Sequence, residues 1–224
     1  MYLSRITLCD PEALRQRPPD AYALHQAVWG LFADDPDRRR DFMFRREEDA
    51  PGLLFLVVSR RPPQDDTGRW RIEAKEYAPK LAKGDRLHFR LRANPVRTGK
   101  NANDKQARFD VVMDAKTALR RQGVPREKWP SQAALAYEAG SRWLSARGER
   151  LGFTPDPARL RVEGYRQLAF DKGRDGGRQR VSIATLDFEG LLTVTDPERL
   201  TRTLFEGVGP GKSFGCGLLL VRRG

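Results

Sequence analysis

Residues 207–224 read GVGPGKSFGCGLLLVRRG, and this stretch governs how the rest of the chain is parsed. Gly207, Gly209, Gly211, Gly215 and Gly217 stand at alternate or near-alternate positions. Glycine is used where φ must be positive or where a Cβ would collide with something close by. The loop carries one cation, Lys212, and one aromatic ring, Phe214, and runs into the apolar strand 218–221. A cation and a ring on a glycine loop suit a polyanion with flat bases, so the loop is read as part of an RNA-binding surface. Gly211-Lys212-Ser213 mimics the end of a phosphate-binding P-loop. That motif needs a glycine at position 206, where this chain has Glu206, and a long helix after the loop. Residues 200–206 read as helix before it, and only eleven residues follow Ser213. A nucleotide-dependent enzyme built on this loop is therefore the remote alternative.

Working outward, the terminal strand closes a unit of recognisable order. Asp196 and Pro197 start a helix, with proline at its first turn. Before it, 160–170 and 180–188 read as strands joined by the glycine-rich tip 171–179, which carries Lys172, Arg174 and Arg178, with Arg166 and Arg180 on its stems. Residues 115–122 and 131–147 read as helices, the second with an amphipathic pattern of Leu135, Ala139, Trp143 and Leu144. Residues 109–113 read as a strand. In the other half, Tyr2–Leu8 is a strand, Asp20 an N-cap, 21–33 a helix, and 42–46 and 53–60 strands, the last apolar enough to be central. Residues 85–93 alternate, with Leu87, Phe89 and Leu91 inward and Arg86, His88, Arg90 and Arg92 outward. Each half approximates strand–helix–strand–strand–helix–strand. The expected fold is α+β, two tandem ferredoxin-like (RRM-like) βαββαβ domains. The expected division is 1–94, a linker at 95–106, and 107–224, with the first domain's second helix poorly marked around 74–82, where Pro79 intervenes.

Charge narrows the partners. The 224 residues hold 42 Lys plus Arg against 30 Asp plus Glu, a formal net of +12. Most of the cations are arginine, whose planar fork suits phosphate and stacks on bases. Between Arg86 and Arg108 stand Arg90, Arg92, Arg97, Lys100, Lys105 and a single acid, Asp104. Such a field attracts nucleic acid and makes binding salt-dependent. The longest apolar run, 53–58, is far short of a membrane span, and MYLSRITL at the start has no signal-peptide core. Cys9 and Cys216 lack metal-ligand spacing, read as small hydrophobes in strands, and fit a reducing cytosol.

MYLSR (1–5), YALHQAVW (22–29), RDFMFR (40–45), DFEG (187–190) and GVGPGKSFGCGL (207–218) together resemble the CasE family, CRISPR repeat-processing endoribonucleases of the type I-E Cascade complex. The resemblance spans essentially the whole chain. It implies two ferredoxin-like folds, cleavage of the CRISPR repeat stem-loop without metal or other cofactor, and retention of the product with the other Cascade subunits. By position it makes His25 the catalytic histidine and Tyr22 its partner.

The chain's own residues allow that chemistry. RNA carries its nucleophile, the 2′-hydroxyl, and needs only a base and an acid, for which imidazole is suited. His25 shares a helical stripe with Tyr22 and Trp29. The same stripe also reads as an aromatic ridge packed on the sheet. His88 sits on the outward face of a basic strand and reads as solvated or RNA-contacting. Asp187 and Glu189 face one side of a strand, but a metal nuclease needs more converging carboxylates. Expected RNA contacts are Arg166, Lys172, Arg174, Arg178 and Arg180 on the hairpin, Arg97, Lys100 and Lys105 between the halves, and Gly209, Gly211, Lys212 and Phe214 on the loop. The rival reading is a non-catalytic RNA-binding subunit of the same kind of ribonucleoprotein.

Overall fold

The computed structural model describes residues 1–9, 21–33, 40–50, 52–174 and 177–224, with side chains described for all of these except residues 21, 170–174 and 177–181. Asp20, expected as an N-cap, lies outside them. The first sheet comprises β1 (Tyr2–Leu8), β2 (Phe42–Glu47), β3 (Leu54–Ser59) and β4 (Trp70–Glu76), with helix α1 (Ala21–Gly30) between β1 and β2. Its order is β2-β3-β1-β4, all neighbours antiparallel. Period-two alternation sorts the side chains. Ile6 lies opposite Phe55 and Phe44 opposite Val57, and these four pack under α1 with Val28, Leu31 and Phe32. Leu3 and Met43 both lie opposite Val58 on the other face. That face is covered as well, by Leu218, Phe205 and Leu220. An apolar LFLVVS strand is what two covered faces require.

The expected second helix of this unit is absent. Residues 60–69 form a loop closed by Asp65, whose carboxylate accepts from the backbone N–H of Thr67 at 2.9 Å and of Trp70 at 2.7 Å. Then Trp70, Ile72 and Ala74 alternate with Arg71, Glu73 and Lys75, so WRIEAKE is the edge strand β4, and Trp70 and Ile72 pack against the α1 core.

The second sheet begins with β5 (Arg86–Ala93), continues through the hairpin β6 (Val96–Lys100) and β7 (Gln106–Asp110), helices α2 (Val111–Arg121) and α3 (Gln132–Leu151), and strands β8 (Phe153–Pro155), β9 (Arg161–Arg174) and β10 (Gly177–Val194), and ends with α4 (Pro197–Glu206) and β11 (Leu219–Arg223). Here β5, expected to close the first domain, lies between β11 and β10, with Leu91 opposite both Leu219 and Phe188. Its amphipathic pattern suits either sheet equally, and only long-range pairing selects one. The expected linker 95–106 is for the most part the β6–β7 hairpin. The strand expected at 109–113 stops at Asp110, whose carboxylate accepts from the Val112 N–H at 2.8 Å and so starts α2 instead. The 131–147 segment is the crossover helix of this unit: Trp143 stacks on Phe188 with ring centroids 5.7 Å apart, and Leu135 and Leu144 are buried with it. With order β11-β5-β10 and β9 or β8 on the far edge of β10, the unit is a complete βαββαβ. The chain is thus two tandem ferredoxin-like folds, the first lacking one helix. The β9–β10 ladder outruns its sheet. β10 pairs with β5 only over Leu186–Thr193, whereas its pairing with β9 continues to Gly177.

The glycine loop joins the two sheets by wrapping the edge strand β2. At Gly207, φ is +78°, and an added methyl would collide with the Met43 sulfur and come within 2.8 Å of the Gly217 carbonyl oxygen. Val208 N–H donates to that carbonyl at 2.8 Å, and Gly217 N–H donates to the Arg92 carbonyl at 2.7 Å. Cys216 is buried in this loop, ahead of β11 rather than in it, and burial pushes its thiol up to about 12; Cys9 lies just past β1 and is exposed. Two outcomes follow from this seam. Gly207→Ala should lower unfolding stability by about 2 kcal/mol, read by denaturant titration, from backbone strain and overpacking. A thiol-alkylating reagent should label Cys9 in the native protein and Cys216 only after unfolding, read by intact mass.

Candidate nucleic-acid interface and imidazole site

Helix α1 carries Tyr22, His25 and Trp29 in one stripe, each half-buried. His25 meets the Trp29 edge with centroids 5.6 Å apart and the Phe214 ring at 6.2 Å. Phe214 belongs to a single 3₁₀ turn, Lys212–Phe214, flanked by Gly211 and Gly215. That turn rests on α1 and β2, with the Phe44 ring under Gly215. The C-terminal glycine loop therefore delivers a cation and a ring to a helix near the start of the chain. Helix α1 also packs beside β9, one strand of the long β9–β10 ribbon.

The loop glycines themselves face inward. The Cβ position of Gly209 is 3.3 Å from the Trp143 ring, and that of Gly211 is 3.3 Å from Asn94 Cβ. The clearance read from the sequence as room for another polymer is filled, at these two positions, by the protein's own second unit. The Lys212 ammonium is held below the ordinary lysine range by burial and by the nearby Arg40, with Glu206 opposing. Arg40, which the sequence reading did not single out, donates from Nη1 to the Ser213 hydroxyl.

The second ingredient is an ionic seam. Arg92 donates from Nε and Nη2 to the two carboxylate oxygens of Asp187, at 3.0 and 2.9 Å. Its Nη1 reaches Glu48 at 2.6 Å. Arg45 of β2 donates to Glu47 at 3.0 Å and lies 3.6 Å from Asp187, and Arg90 of β5 donates to Glu47 at 2.8 Å. Arg166 on β9 donates to the other Glu48 oxygen at 2.7 Å. Burial lowers the Arg45 pKa, against Asp187 and Glu47, whereas Arg92 is raised because its carboxylate partners outweigh its burial. Burial works to raise Glu48, but the hydrogen bond from Arg166 and the charge of Arg92 hold its carboxyl below the ordinary value. All of these except Glu47 line a cavity of about 330 Å³ between the units. Asp187, considered above as half of a metal pair, has both oxygens on Arg92.

The basic cluster at 86–108 is thereby largely answered. Arg86 pairs with Asp156, Arg90 with Glu47, Arg92 with Asp187, Arg97 bidentately with Asp114 at 2.8 Å, and Lys100 with Asp104. Arg97 and Lys100 stand on the β6–β7 hairpin, which is tied to α3 by Trp143 Nε1 and Arg147 donating to the Val96 carbonyl. Lys105 is exposed on that hairpin. The side chains of Lys172, Arg174, Arg178 and Arg180 lie outside those described; their backbone forms the outer ribbon. His88 is half-buried on β5 between Leu191 and Arg222 of the flanking strands.

Two ferredoxin-like units, with a helix-borne imidazole against a cationic turn and a ribbon strand packed beside that helix, define a protein of the tandem ferredoxin-like class. The family is more specific than that. The model of the CRISPR associated protein family matches residues 1–223, and the chain belongs to this family, as a CasE member. It is 34% identical over 221 residues to "CRISPR system Cascade subunit CasE" of Escherichia coli, covering 98% of each chain. It is 29% identical over 233 residues to "CRISPR-associated endoribonuclease Cse3" of Thermus thermophilus, covering 99% of each. Among solved structures, Cse3 bound to a 19-nucleotide RNA superposes with a TM-score of 0.73 at 27% identity, covering 99% of this chain and 100% of that one. Thermus thermophilus Cse3 bound to an RNA representing a pre-cleavage complex gives 0.71 at 26% identity, covering 99% and 98%.

Asp187→Asn, which leaves the buried Arg45 and the half-buried Arg92 short of a counter-charge, should cost about 3 kcal/mol of unfolding free energy by denaturant titration. Glu48 gives a pH signature. Its folded pKa lies below its unfolded one, so its contribution is present above the ordinary glutamate value of about 4.3 and is lost as pH falls through the folded value. Thermal melts should therefore show wild type losing more stability on acidification across that window than Glu48→Gln.

Proposed function

We propose that this chain is a metal-independent endoribonuclease that binds the CRISPR repeat stem-loop, cuts precursor CRISPR RNA beside it, and keeps the product within a Cascade-type complex. The observation that carries the reading is the half-buried His25 ring lying against Phe214, in the same turn as Lys212, on a helix that packs beside the ribbon strand β9. The whole-length similarity to a Cascade subunit and to an endoribonuclease supports it.

The reaction needs two proton transfers. A base removes the 2′-hydroxyl proton as that oxygen bonds to the adjacent phosphorus; the bond from phosphorus to the 5′-oxygen breaks, and an acid protonates the departing oxygen. The products are a 2′,3′-cyclic phosphate and a 5′-hydroxyl. His25 serves as base or acid, with Tyr22, one helical turn earlier, assisting. The nucleophile comes from the RNA, so no bound ion is needed to generate it. The stem lies along the β9–β10 ribbon, where Arg166, Lys172, Arg174, Arg178 and Arg180 meet its phosphates; A-form geometry favours such contacts over base readout in the deep groove. Phe214 and the Gly209–Gly211 backbone border the site, and Arg97, Lys100 and Lys105 extend the positive surface.

In an assay with a labelled repeat hairpin, His25→Ala should reduce cleavage by about 10²–10⁴-fold, the range for losing a positioned acid or base, while changing hairpin affinity only slightly. A 2′-deoxy substitution at the scissile nucleotide should block cutting, and EDTA should not. Salt-sensitive binding without cleavage by the wild-type protein would instead identify a non-catalytic RNA-binding subunit.

A further inference from the structure

Arg40 stands just ahead of β2, remote in sequence from both α1 and the glycine loop. Its guanidinium nevertheless donates to the hydroxyl of Ser213, the residue between Lys212 and Phe214. Three consecutive residues thus present an ammonium, a hydroxyl already engaged by a second cation, and a ring that meets His25. Arg40 and Lys212 are both half-buried, and each has its charged form disfavoured by that burial. They also repel one another, with Glu206 the acid that acts on Lys212.

The ionic seam is built differently. Arg45, Arg90 and Arg92, no better hydrated as a group, are matched by Glu47, Glu48 and Asp187 at hydrogen-bonding distance. Among the described residues, Arg40 has a neutral hydroxyl instead. Two cations brought together out of water are costly, and the arrangement is complete only when an anion joins them. A phosphodiester fits in kind. Arginine's planar fork matches paired phosphate oxygens, and lysine adds a point charge. Ser213, having accepted from Arg40, still has its own O–H to donate.

We propose that Arg40 and Lys212 clamp the non-bridging oxygens of the scissile phosphodiester, with the Ser213 hydroxyl positioning Arg40. This rests on the ribonuclease reading and deepens it by fixing where the phosphorus sits relative to His25. The clamp holds the negative charge that grows on those oxygens as the 2′-oxygen attacks, so its effect falls on the rate more than on ground-state affinity.

The test uses the full-length protein and a labelled synthetic stem-loop of its CRISPR repeat, with each phosphorothioate diastereomer placed at the scissile linkage. Arg40→Gln should slow single-turnover cleavage by about 10²-fold, the scale of losing one preorganised donor to a developing oxyanion. Arg40→Lys should recover part of that. Wild type should discriminate between the two diastereomers, and Arg40→Gln should lose the discrimination. Ser213→Ala should slow cleavage, and Ser213→Thr should restore it. Affinity for a synthetic stem made without the scissile phosphate should stay at the wild-type value in every variant. If Arg40→Gln does not fold, judged by its melting transition, diastereomer discrimination in Lys212→Gln decides the matter.

Wild-type rate and discrimination in Arg40→Gln, alongside an inactive His25→Ala, would overturn the clamp and leave the nuclease reading standing. Equal loss of affinity for the intact stem-loop and for the stem without the scissile phosphate would also overturn it, because the effect would then be one of overall charge. Continued cutting by His25→Ala would remove the assignment of the imidazole, while lost discrimination in Arg40→Gln would still locate the phosphate.

Discussion

Asp187 sits where both units meet, and its carboxylate is the fixed point of the molecule. Arg92 of the second sheet grips it with two parallel hydrogen bonds, and Arg45 of the first sheet approaches the same group. Arg45 is buried and Arg92 and Asp187 are partly so, and only close, well-aligned partners offset the hydration they lose. Such a cluster tolerates little sliding, which an apolar seam of Met43, Val58 and Leu218 alone would allow. Directional pairing sets the register of the two sheets, and the apolar contacts supply the area. The placement of the Lys212–Phe214 turn against α1 depends on that register.

Charge in this protein is distributed by function rather than by sequence density. The densest run of cations is largely consumed in holding the fold: Arg92 and Arg90 bind the first unit, and Arg97 ties the β6–β7 hairpin to α2. The pair beside the imidazole is sparse in sequence and poor in counter-charge. A surface that must exchange solvent for phosphate benefits from cations that are not already committed. Arg166 stands between the two cases, exposed on the ribbon yet paired with Glu48.

The two ferredoxin-like units are unequal for a structural reason. The second is complete and buries its own sheet under α3 and α4. The first has a loop where its second helix would be, and keeps α1 on one face while giving the other to the second unit. Helix α1 is therefore bordered by a partner loop on one side, which is what brings residues from opposite ends of the chain into one site.

Much of this was legible in the residues. Alternation marked β1 and β5, a continuous apolar run marked β3, the Asp196–Pro197 pair marked α4, and the glycine-rich tip marked the ribbon, because local backbone preferences and burial patterns are written residue by residue. The proposed roles of His25 and Tyr22 rest on resemblance, since a helical imidazole beside an aromatic has an equally good packing explanation. Other features were decided by tertiary structure. The alternation of β5 satisfied either sheet, and pairing with β10 and β11 chose between them. WRIEAKE was overlooked as a strand because the ferredoxin pattern expected a helix nearby. The local excess of positive charge said nothing of Asp187, Glu47, Glu48 and Asp114, which arrive from distant segments. Arg40 gave no local signal, because its meaning lies in a contact with Ser213 that only the closed chain creates. Sequence alone determined the elements, the glycine loop and the two unit types; the fold decided which strand belongs to which sheet, which cations are spent and which remain, because those depend on neighbours that no short window contains.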